Sequence, residues 1–126
     1  MKRNLRVLII GAGLGGLACA IARRRHGLEV LVLERGPEIL PIGAGIQIPP
    51  NAARVMGGLG VLPALTVKAT LLDSINLRRY ENGARLCSRP GGESMLEDFG
   101  APWMCVETCL VILLTSRFRG CGSAFG

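Results

Sequence analysis

With 126 residues the chain is long enough for one compact core and short of two ordinary domains. Eighteen glycines and seven prolines without a collagen period predict many turns, and 49% hydrophobic residues exclude a wholly disordered chain. The net charge of +6 would suit nucleic acid if it were clustered, but the basic residues are scattered apart from Arg23, Arg24 and Arg25, and one Trp, one Tyr and three Phe make no stacking platform for bases. No nucleic-acid partner is expected, and a solvated helix end accounts for the three arginines.

The amino terminus looks at first like a secretory signal, since Lys2, Arg3 and Arg6 precede an uncharged run from Val7 to Ala22. Four glycines between Gly11 and Gly16 would break a signal helix, and the run is too short to span a bilayer. The expectation is a cytoplasmic chain with no stable membrane span. Five cysteines with no C-x-x-C pair and a single His26 exclude a zinc site and point to a reducing compartment. Cys105 and Cys109 read as two small apolar residues on one helical face.

Leu5 to Ile10 is a short branched apolar run of the kind that forms a strand buried on both faces of a parallel sheet. From Leu14 the positions Leu14, Leu17, Ala18, Ile21 and Ala22 fall at helical spacing, and Gly27 stops the helix. A second apolar run, Leu28 to Leu33, ends at Glu34. Residues 5–34 therefore read as a β-α-β unit with parallel strands and a right-handed crossover.

After Arg35, the residues Gly36, Pro37, Pro41, Gly43, Gly45, Pro49 and Pro50 predict an extended loop at the sheet's edge. Asn51 offers a helix cap for Ala52 to Leu59, with Gly57, Gly58 and Gly60 ending the helix. Ser74 to Tyr80 and Ala84 to Ser88 alternate around Asn82-Gly83, a strong hairpin signal. Residues 104–126 carry the apolar run Leu110 to Leu114, then Arg117, Arg119 and a Gly-Cys-Gly-Ser end that neither caps a helix nor closes a sheet, and they stay unplaced. The chain thus divides into residues 1–103 and a divergent tail, 104–126.

Gly11-Ala12-Gly13-Leu14-Gly15-Gly16 satisfies G-x-G-x-x-G, in which each glycine has a mechanical task. Gly11 permits the tight turn, Gly13 lets the main chain approach a pyrophosphate, and Gly16 lets the helix pack closely on the strand. The helix starting there aims free N–H groups and the positive end of its dipole at the anion. Glu34, 23 residues after Gly11 at the end of the second strand, is placed to accept hydrogen bonds from ribose hydroxyls and to repel a 2′-phosphate. The candidate dinucleotide residues are Gly11, Ala12, Gly13, Leu14, Gly16 and Glu34. Because NAD and FAD share the ADP half, the motif alone leaves the choice between them open.

Two stretches narrow it by resemblance. The run from Ile9 to Arg35 and the segment G-A-G-I-Q-I-P-P-N-A-A-R-V-M from Gly43 to Met56 are similar to the amino-terminal part of the FAD-dependent aromatic hydroxylases, in particular the salicylate-hydroxylase-like monooxygenases of fungi. The resemblance spans roughly residues 4–103 and includes the hairpin. It implies an α/β fold, a Rossmann-like βαβ FAD-binding unit with a β-hairpin extension, incomplete relative to the full family fold. It also implies FAD as cofactor, NAD(P)H as electron donor, O2 as co-substrate and an aromatic or polyketide-like small molecule as substrate. Glu34 with Arg35 would meet the adenosine ribose, and the Gly43 to Gln47 loop, with Ala44, Gly45 and Gln47, would run past the flavin.

Beyond Trp103 the resemblance lapses. Where the family carries a His-Arg-x-Asp-Leu motif, this chain reads Val106-Glu107-Thr108-Cys109-Leu110, without the flavin-contacting arginine. The expectation is a truncated chain, a monooxygenase by descent that does not turn over alone; the alternative is a non-catalytic dinucleotide-binding fragment or pseudoenzyme. No catalytic residue emerges. His26 reads as a helix-end cation, Arg54 and Arg78 to Arg89 as solvated faces, and Trp103 as a core aromatic. Substrate, oligomeric state and pathway stay open.

Overall fold

The computed structural model describes residues 5–40, 45–106 and 109–119, apart from the side chains of Glu93 and Cys109. Strand β1 (Arg6–Ile10), helix α1 (Leu14–Arg25) and strand β2 (Glu29–Leu33) form the expected parallel unit, with register running from Arg6 opposite Glu29 to Ile10 opposite Leu33. The glycine stop works as expected: Gly27 takes a left-handed φ of 75° and donates its N–H to the Arg24 carbonyl, while His26, exposed, donates to the Arg23 carbonyl.

One expectation fails here. β1 is buried on one face only, because the strand has a single partner and α1 covers a single side. Val30 and Val32 of β2 sit under the helix, whereas Leu8 and Ile10 of β1 are 57% and 85% exposed. The outer face of this two-stranded sheet carries no helix among the described residues.

The segment read as a loop holds a short strand, β3 (Ile46–Ile48), followed by helix α2 (Pro50–Leu59) and helix α3 (Leu62–Thr66). Pro49 and not Asn51 caps α2; Pro50 occupies its first turn, where a missing N–H costs nothing, and Asn51 Oδ1 accepts from the Ala52 N–H. Gly57 and Gly58 lie inside α2, and Gly60 alone ends it, at φ 75°. Strand β4 (Thr70–Leu71) leads into the hairpin of β5 (Ser74–Arg78) and β6 (Arg85–Pro90), then helix α4 (Gly92–Phe99). The hairpin is present, with a wider turn than two residues: Arg79 N–H donates to the Ala84 carbonyl, Asn82 Oδ1 accepts from the Ala84 N–H, and the register slips between Leu77 and Arg78.

The described part of the tail that the sequence leaves unplaced, residues 104–106 and 109–119, is built into the core. Strand β7 (Met104–Val106) runs antiparallel to both β3 and β4, as the middle strand of a three-stranded sheet, and helix α5 (Cys109–Arg119) packs on α1. Cys105 therefore stands on a strand and not on a helix with Cys109. Met104, Val106, Leu114 and Phe118 are fully buried beside Leu17, Ile21, Val32 and Leu65, each burial worth about 1.5–3 kcal/mol. The signal was weak because the partners of α5 on α1 lie about ninety residues upstream.

Arginines join the helices. Arg25 of α1 donates to the Gly58 carbonyl and Arg117 of α5 to the Leu59 carbonyl, at 3.4 Å, so two guanidinium groups meet the negative end of α2. Arg24 lies over the Phe118 ring, 5.5 Å from its centroid. The basic run is thus an inter-helix tie at Arg24 and Arg25, where a solvated end was expected. The sequence's core aromatic is half-buried: Arg89 stands over the Trp103 ring at 5.9 Å, and the indole Nε1–H is buried with no acceptor among the described residues.

Candidate dinucleotide site

The site is built where β1 gives way to α1. A tight turn is needed because the chain must reverse from strand to helix within three residues, and Gly11 supplies it at φ 96°. Gly16 is required for a different reason: a Cβ there would lie 2.0 Å from the Gly11 carbonyl oxygen, so no larger residue fits without moving the turn. Gly13 is the cap of α1, in extended backbone, and its carbonyl accepts the first helical bond, from Leu17 N–H at 2.9 Å. No side chain caps this helix end and no acid stands in its first turn, which leaves the early N–H groups directed at the space beyond. Gly13 and Gly15 are exposed, and Leu14 is half-buried.

The turn is tied to the end of β2 by two successive main-chain donors. Gly11 N–H donates to the Leu33 carbonyl at 2.7 Å, and Ala12 N–H donates to Glu34 Oε2 at 2.6 Å. The other carboxylate oxygen, Oε1, accepts from Gly36 N–H at 2.8 Å. These bonds, first from Gly36 and then from Ala12, hold the Glu34 carboxyl below the usual glutamate range, aided by the Arg35 charge. Ala12 is 3% exposed and its N–H is spent on Glu34, so among the expected residues it supports the turn and offers no amide outward.

Glu34 also opens onto a groove of about 750 Å³ between the Gly36 to Leu40 segment and α5, where Ile112, Thr115 and Arg119 form the far wall. Sequence reasoning missed this wall; the spacing 112, 115, 119 along one helical face was its only signal. Arg35 is exposed beside Glu34. Gly45 and Gln47 lie apart from the turn, on and beside β3. Gln47 is exposed and pairs in register with Cys105, and a side chain at Gly45 would come within 3.4 Å of Cys105 Sγ. Ala44 lies outside the described residues. No trio of metal-ligating side chains occurs among the described residues, and no helix there is long and apolar enough to cross a membrane. Cys19 and Cys87 are exposed thiols and Cys105 is half-buried.

Residues 6–49, the span that contains this turn and Glu34, match the FAD binding domain family. The chain is 35% identical to the 3-amino-4-hydroxybenzoate 2-monooxygenase of Streptomyces cremeus over 129 aligned positions, covering 98% of this chain and 33% of that protein. It is 36% identical to the FAD-dependent monooxygenase OpS4 of Beauveria bassiana, covering 97% of this chain and 29% of that one. In fold and in sequence the chain resembles the FAD-binding region of the FAD-dependent aromatic monooxygenases. The tetrameric form of 2-methyl-3-hydroxypyridine-5-carboxylic acid oxygenase superposes with a TM-score of 0.83 at 24% identity, over 99% of this chain and 32% of that one. With 98% of the chain aligned, the likeness runs past Trp103, where the sequence pattern alone loses it. The chain spans about a third of the length of these relatives.

Proposed function

We propose that the chain is the ADP-binding part of a FAD-dependent monooxygenase that hydroxylates a small aromatic or polyketide-like molecule with NAD(P)H and O2. The observation that carries this reading is the glycine turn whose uncapped helix end faces outward beside a carboxylate held ionised at the end of β2. Gly13, Leu14 and Gly16 would present main-chain amides to the diphosphate, Gly11 would set the turn, and Glu34 would use its remaining lone pairs for the ribose hydroxyls. Arg35, Ala44, Gly45 and Gln47 extend the proposal toward the ribose and the flavin ring.

FAD, when bound, supplies the redox and oxygen chemistry. The chain's own residues would bind and orient the nucleotide end, and the chain spans about a third of the monooxygenases it matches. Turnover is therefore assigned to a longer protein of this kind. Titrating the chain with FAD, ADP and FMN tests the reading: FAD and ADP should bind and compete, whereas FMN, which lacks the ADP half, should not. Equal uptake of FMN, or no uptake of ADP, would overturn it.

A further inference from the structure

We infer that Glu34 is a positioning residue, which holds the glycine turn in its diphosphate-accepting shape before any nucleotide arrives, in addition to any contact it makes with a sugar. The inference rests on the nucleotide reading above and goes beyond it, because it assigns to Glu34 a contribution that does not pass through ribose.

The geometry leads there directly. A carboxylate needs two oxygens to accept from Ala12 at 2.6 Å and Gly36 at 2.8 Å at once, one oxygen to each donor. It thereby clamps the turn on one side and the loop after β2 on the other. Its bond to Ala12 stands next to the Gly11 bond to Leu33, so two consecutive amides of the turn are fixed by the end of one strand. With those two directed inward, the next residue, Gly13, caps the helix, and the following amides are left to face the ligand. If Ala12 N–H lost its acceptor it would be a buried unpaired donor, since the residue is 3% exposed, and the turn would relax to satisfy it. Glu38 and Arg119 are the other charged groups along the same groove, and the Arg35 charge also acts on Glu34.

Glu34→Gln separates the two roles. The amide keeps one acceptor oxygen but turns an NH2 toward the second main-chain N–H, so one of the two clamps must open. The probes are ADP and 2′,3′-dideoxy-ADP, which lacks both ribose hydroxyls, titrated into wild-type and E34Q chains by calorimetry. A turn-ordering role predicts that E34Q weakens dideoxy-ADP by about tenfold. A role confined to the sugar predicts an unchanged dideoxy-ADP affinity and a loss for ADP alone, which would overturn the inference.

A second measurement needs neither variant nor ligand. In the free wild-type chain the Ala12 and Gly36 amide proton resonances should move together as Glu34 is protonated, below the usual glutamate range. Independent or absent movement would overturn the inference. If the wild-type chain takes up no ADP, the nucleotide reading falls, and the amide titration still decides whether Glu34 orders the turn.

Discussion

The βαβ unit and the β5–β6 hairpin are both spelled out by short sequence signals, yet they are held by different forces. In the first, the signal is a glycine turn anchored on a buried helix and strand: Leu17, Ile21 and Val32 are fully enclosed, and a Cβ at Gly16 would lie 2.0 Å from the Gly11 carbonyl oxygen. In the second, every residue of β6 is exposed, and the strands are joined by main-chain bonds and by the Asn82 side chain at the turn. A local turn signal thus specifies where the chain reverses and says nothing about whether the result is buried. Energetic consequences should differ accordingly, with large losses in the βαβ unit and its α5 cover and small ones in the hairpin.

The largest contrast comes from Phe118→Ala, which empties a fully buried position between α5 and α1. Denaturant unfolding should show a loss of about 3–5 kcal/mol. A loss below about 1 kcal/mol would mean that α5 is not part of the core. Gly16→Ala comes next, since its Cβ must push the Gly11 carbonyl away; a loss of about 1–3 kcal/mol is expected, together with abolished ADP uptake. Stability lost without any effect on ADP would detach the turn from binding.

In the hairpin, Gly83→Ala places a side chain at φ 70° in otherwise open space, so only backbone strain of about 1 kcal/mol opposes it. Nucleotide binding should be unchanged. Smallest of all is Arg6→Gln, which removes the exposed pair with Glu29 at 3.1 Å and should shift stability by about 0.5 kcal/mol or less. A pH series adds a signed test. Because the folded pKa of Glu34 is lowered, its ionisation favours the folded turn above the ordinary glutamate value of about 4.3. That contribution fades as pH falls from there through the lower folded value, and E34Q should flatten this part of the profile.

Legibility followed the range of the interactions. The turn, Glu34 and the hairpin were readable because their determinants lie within a few residues or at a fixed spacing along one unit. β1 was misjudged on its outer face because an apolar run cannot report how many partners a strand has, and Ile10 is 85% exposed despite its type. β3, at three residues, is too short for alternation to show, and it exists because β7 pairs with it. The place of α5 depends on α1, and the bond from Arg117 to Leu59 spans 58 positions, beyond any window of periodicity. For the same reason the α5 wall of the Glu34 groove could be seen only once the chain was folded.

A nucleotide should land on the glycine turn and the end of β2. Amide chemical-shift mapping of the full chain titrated with ADP should move the resonances of Gly13 to Leu17, with Glu34 and Gly36 close behind, and leave residues 74–90 of the hairpin still. Shifts centred on the hairpin or on β3, with the glycine turn unmoved, would contradict it.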